Sequence, residues 1–105
     1  MVKNYRKPWY EDCANHAMRF YFRHLDADVN KMTKPNFVLW RCCDEIFVSY
    51  SDEDFAIMRA VYEYRDAPMQ KIIERVSLER GVTRKRIWTL LNKATHAFAK
   101  ARGLI

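Results

Sequence analysis

Arg84, Lys85, Arg86, Lys93, Lys100 and Arg102 lie close together at the end of the chain, and no Asp or Glu follows Glu79. With Arg80 they make seven basic residues in a chain of formal net charge +6, so everything before them is close to neutral. A one-signed run of cations attracts anions, and it does so best where no carboxylate shares the surface. Thr83, Thr89, Asn92 and His96 are interleaved with these cations. Hydroxyl, amide and imidazole groups add hydrogen-bond donors and acceptors to the point charges. Together these side chains suit reading a duplex, with ammonium and guanidinium groups for phosphates and the remaining polar groups for base edges. They do not suit a reaction. There is no Gly-rich phosphate loop, no Ser/His/Asp arrangement and no acidic pair, so neither an enzyme nor a cofactor is expected.

A helix must position these groups. At about 100° per residue, Ile87, Leu90, Leu91, Ala94 and Phe98 share one side, and Lys85, Thr89, Asn92 and His96 lie opposite. Arg84, Lys85, Thr89 and Asn92 are the expected base-reading residues. Thr83, Arg86, Lys93, His96 and Lys100 are the expected phosphate contacts. Trp88 sits at the flank, where burial is favoured over packing on deoxyribose or a thymine methyl.

The string IIERVSLERGVTRKRIWTLL, which opens at Ile73, fits the demands of a helix-turn-helix. Val76 and Ser77 give an apolar and then a small residue where two helices cross. Gly81 frees the turn to take a positive φ, Val82 plugs the angle, and Ile87 and Leu90 point inward. Helices are predicted over 68–80 and 83–101, with Leu90 buried. Two ordinary antiparallel helices with a Gly stop are the plainer alternative.

Two glycines and three prolines in 105 residues favour helices over a turn-rich β fold. Pro8 precedes a helical stretch from Trp9 to Leu25, with Trp9, Cys13, Ala17, Phe20 and Leu25 near one stripe. Tyr10, Ala14, Met18, Tyr21 and Phe22 widen it. Residues 26–34 are a polar connection. Pro35 opens a segment in which Phe37, Trp40, Cys43, Phe47 and Tyr50 keep helical spacing. A hairpin there would need Gly or Asn at Asp44-Glu45. Ser51 caps a further helix, with Asp52, Glu53 and Asp54 in its first turn and Phe55, Met58, Val61 and Tyr62 on its apolar face. The expected fold is all-α, about five helices with a C-terminal helix-turn-helix. It forms one domain over residues 1–105, aromatic-rich helices over 1–50 and the helix-turn-helix unit over 51–105, with a basic lead-in over 1–7.

The run SDEDFAIMRAVYEY, the Pro-containing connection, and GVTRKRIWTLLNKATHAFAKARGLI resemble region four of sigma factors. They more closely resemble small phage-encoded transcription regulators of the RinA/ArpU type. Ser51-Asp52-Glu53-Asp54 matches the opening of those modules, Tyr62 their aromatic, and Lys93, Ala94, Phe98, Ala99 and Gly103-Leu104 their final helix. The resemblance covers Ser51 to Ile105. It implies duplex DNA binding and transcription control, and it carries over no catalytic residue. The resemblance does not extend to the aromatic N-terminal half.

Cys13, Cys42 and Cys43 are an odd number with an adjacent pair, unlike a secreted disulfide framework, and a reducing cytoplasmic setting is expected. Cys13-x-x-His16 with Cys42 and Cys43 is the one candidate zinc set. Adjacent helical cysteines diverge, so no metal is expected. No run of membrane-span length occurs. The expected partner is duplex DNA, with RNA polymerase or another protein, and a second copy of the chain, as further candidates. The rival reading is a protein-binding module of phage or host-interaction type, which keeps the scaffold but docks on polymerase or a defence factor.

Overall fold

The computed structural model describes residues 8–105. Its α-helices are α1 (Glu11–Arg23), α2 (Lys34–Phe47), α3 (Asp52–Glu63), α4 (Met69–Arg80) and α5 (Arg84–Ala101), with a short 3-10 turn at Val29–Lys31. The basic lead-in over residues 1–7 lies outside the described residues. The fold class is the expected all-α one. The segment that could have been a hairpin is α2, and among the described residues there is no strand.

Three helices begin at a side-chain hydroxyl. The backbone N–H groups of Asn36, Asp54 and Arg86 donate to Thr33 Oγ1 (3.4 Å), Ser51 Oγ (3.1 Å) and Thr83 Oγ1 (3.1 Å). Each cap satisfies a first-turn donor that has no partner within the helix. The Thr33 cap lies inside the stretch assigned to a polar connection, so α2 starts at Lys34 and Pro35 falls in its first turn. Pro68 is the N-cap of α4, and its carbonyl accepts from Lys71 and Ile72. The second helical segment ends at Phe47, leaving Tyr50 in the α2–α3 connection.

All five helices contribute to one core, with Met18, Cys43, Met58, Ile73 and Leu91 all fully buried. The aromatic residues of the N-terminal half fill it. Tyr21 stacks on Phe47 with ring centroids 5.6 Å apart, and Phe22 stacks on Tyr62 at the same separation. Two of these rings carry a polar handle that finds a partner. The Tyr62 hydroxyl donates to Asn15 Oδ1 at 2.7 Å in the interior, and the Tyr21 hydroxyl donates to Asp44 Oδ1 at 2.7 Å. Burial first of all pushes both phenols above their ordinary pKa, so both remain donors.

Two expectations for the core need correction. In α1 the inward face is Ala14, Ala17, Met18, Tyr21 and Phe22, while Trp9 (71% exposed) and Cys13 face solvent. The chain is not helical before Glu11, so the phase carried back to Trp9 does not apply. Leu90 is only partly buried. Leu91 takes the fully buried position, because α5 is covered on the side where α1, α2 and α3 lie as well as by α4.

Gly81 ends α4 in the left-handed region at φ +65°, the one place in the connection to α5 where a side chain would be strained. A Cβ built there meets nothing within 4 Å. Gly81→Ala is therefore expected to cost about 1 kcal/mol from backbone strain alone, with Gly81→Asn costing less, as measured by urea denaturation. A loss of several kcal/mol would mean that the turn is packed more tightly than its geometry indicates.

Candidate nucleic-acid interface

The connection from α4 to α5 is short and tied at both ends. The N–H groups of Gly81 and Val82 donate to the Ser77 carbonyl, and the Ser77 hydroxyl donates back to the Val82 carbonyl. A small hydroxylated residue near the end of α4 thus holds the turn as well as making room for it. Val82 is partly buried against the core, and Thr83 then caps α5.

On α5, Ile87, Leu91, Ala94, Phe98 and Ala99 are buried, with Trp88 and Leu90 partly so. Lys85, Thr89, Asn92, His96 and Lys100 are all exposed. Their spacings of four, three, four and four residues put them on one line along the helix. At a rise of about 1.5 Å per residue, that line is about 22 Å long. Thr83, Arg84, Arg86 and Lys93 are exposed beside it, so all nine expected contact residues reach solvent on or next to one face of one helix. The N-terminal helices do not cover this stripe.

Carboxylates are absent from α5 but not from its surroundings. Arg86 Nη2 donates to Asp54 Oδ1 at 2.8 Å, and its Nη1 lies 3.3 Å from Glu53 Oε1. The hydrogen bond to Asp54, helped by the Glu53 charge, raises the guanidinium pKa above its ordinary value. Arg84 Nη1 lies 3.7 Å from Glu74 Oε1. Two of the cations expected to face DNA are thus already engaged by acids of α3 and α4. Asp54 is 32 residues from Arg86. A scan of the last segment for acids therefore could not find it, although the first-turn acids of α3 were visible as helix-end charges. Among the described residues, Lys85 and Lys100 have no ion-pair partner.

Tyr50 is a second residue whose part was not legible. Its hydroxyl donates to the Leu90 carbonyl at 2.8 Å, and the Lys93 ammonium lies 5.2 Å from its ring centroid. It thereby fixes the middle of α5 against the α2–α3 connection and orients Lys93. Burial pushes its phenol up to about 12, so the donor stays protonated. The Thr89 hydroxyl donates to the Lys85 carbonyl at 2.9 Å, which leaves its oxygen lone pairs for an outside donor.

Among the described residues, no group of three or more His, Cys, Asp or Glu side chains could hold a metal ion. No helix there is long and apolar enough to cross a membrane. No family model matches the chain, and neither the curated proteins nor the solved structures compared with it give a match.

Proposed function

We propose that the chain is a sequence-specific duplex-DNA-binding regulator of transcription, with α4 and α5 acting as a helix-turn-helix and α5 lying in the major groove. One observation carries this reading: the exposed line Lys85, Thr89, Asn92, His96, Lys100, set opposite a largely buried apolar face. A major groove about 12 Å wide admits a single helix. On such a helix Lys85 donates to guanine acceptors and Asn92 pairs with adenine, with Thr89 between them. Lys93 and the capping Thr83 beside that line, and His96 and Lys100 farther along it, contact phosphates. The resemblance of Ser51–Ile105 to RinA/ArpU-type regulators points the same way. The direct test is selection of binding sites from random duplex DNA at physiological salt, for which enrichment of a defined site is the expected result.

Asp54 and Glu53 act here as internal competitors for phosphate. Asp54→Asn is expected to strengthen binding to any duplex and to steepen its salt dependence by about one unit, since Arg86 then becomes available for a phosphate. Unchanged affinity and slope in a salt titration of this variant would mean that Arg86 lies away from the DNA.

A second reading, a protein-docking module, is favoured by a different observation. Leu78 on α4 is 85% exposed beside Glu74, Ser77 and Arg84 at the start of α5. An exposed leucine next to balanced charge suits a protein surface better than a phosphate backbone. Under that reading the selection returns no site, and Leu78→Ser abolishes capture of the protein partner.

A further inference from the structure

Arg41, Arg59, Arg75, Arg84 and Arg86 each have a carboxylate oxygen within 4.0 Å. Among the described residues Arg19, Arg23, Arg65, Arg80 and Arg102 have none, and the first three of these line one concavity. It lies between the C-terminal half of α1 and the end of α3, has a volume of about 220 Å³, and is floored by the buried rings of Phe22 and Tyr62. Glu63, the one acid on its lining, is 3.7 Å from Arg59, which lies outside the lining. Arg19 is partly buried, and its Nε is sealed from solvent with no hydrogen-bond partner. A sealed guanidinium donor without an acceptor is costly, and Arg23 and Arg65 bring two further cations to the same lining.

We propose that this concavity is a phosphate-binding site, separate from the α5 stripe. Guanidinium forks match the oxygens of a phosphate group and bind it through paired, charge-assisted hydrogen bonds. Arg23, one helical turn after Arg19 on α1, and Arg65, at the start of the α3–α4 connection, provide the exposed donors. Arg19 provides the fixed charge against the aromatic floor. The site takes a tetrahedral oxyanion of this size rather than a planar ring, because Phe22 and Tyr62 are buried and offer no exposed ring face for stacking. The phosphate has two possible sources, a small phosphate ester or a backbone phosphate of a bound nucleic acid.

The test is an NMR titration of the full chain with inorganic phosphate at constant ionic strength, with chloride as the control, following the arginine Nε–H resonances. Saturable shifts confined to Arg19, Arg23 and Arg65 are expected with phosphate and not with chloride. Arg23→Gln combined with Arg65→Gln, both at exposed positions, is expected to weaken phosphate binding by roughly tenfold or more, given the strength of hydrogen bonds to charged groups. Displacement of phosphate by a short duplex assigns the site to a nucleic-acid backbone. Duplex binding that leaves phosphate in place, or no duplex binding at all, assigns it to a small ester. Shifts that are absent, equal with chloride, or spread along α5 would overturn the proposal, and wild-type protein alone suffices to show this.

Discussion

Phe98→Ala is expected to destabilise the chain by about 3–5 kcal/mol, the range for removing a buried aromatic side chain. Phe98 is 1% exposed and is the largest of the fully buried side chains. It lies near the C-terminal end of α5, a helix packed against each of the other four, so collapse around the vacated space would require several helices to move together. Van der Waals contact is lost wherever that collapse is incomplete. Urea denaturation of the variant measures the effect, and a loss below about 1 kcal/mol would mean that α5 is peripheral rather than central. Such a result would also weaken the stripe, because residues on a loosely held helix cannot keep a common face.

The helices themselves were legible because their signals are local. Ser51 and Thr83 cap as their positions suggested, Gly81 takes the positive φ assigned to it, and the period of Ile87, Leu91, Ala94 and Phe98 fixes the buried side of α5. The exposed line from Lys85 to Lys100 follows from that same period. Leu90 and Leu91 were harder to rank, because both fall on the apolar side and only the placement of α1, α2 and α3 decides which is sealed. The pairing of Arg86 with Asp54 and Glu53, the Tyr50–Leu90 hydrogen bond and the gathering of Arg19, Arg23 and Arg65 all join distant parts of the chain. No spacing rule reaches across such separations. The apparent absence of acid around α5 was therefore a property of one segment, not of the surface it forms.

Binding to random duplex is expected to fall about tenfold between 50 and 200 mM salt, the result of neutralising about two phosphates at a slope near −0.9 per contact. Lys93 and Lys100 supply these two charges, while Lys85 and Arg84 face base edges. Arg86 is held closely and adds little while Asp54 is present. Fluorescence anisotropy across a salt series measures the slope. A slope of six or more would require the arginines to abandon their carboxylates on binding, and a slope near zero would remove the phosphate role from this face.

The most direct measurement of the central claim compares wild type with Lys85→Ala on a selected duplex and on a scrambled duplex of the same length. Lys85 is exposed in the first turn of α5, is free of any carboxylate among the described residues and stands on the same line as Thr89 and Asn92. If α5 reads bases from the major groove, the variant loses about 1–3 kcal/mol on the selected site and much less on the scrambled one. An equal loss on both would make Lys85 a phosphate contact. No loss on either, with binding intact, would contradict the placement of α5 in the groove.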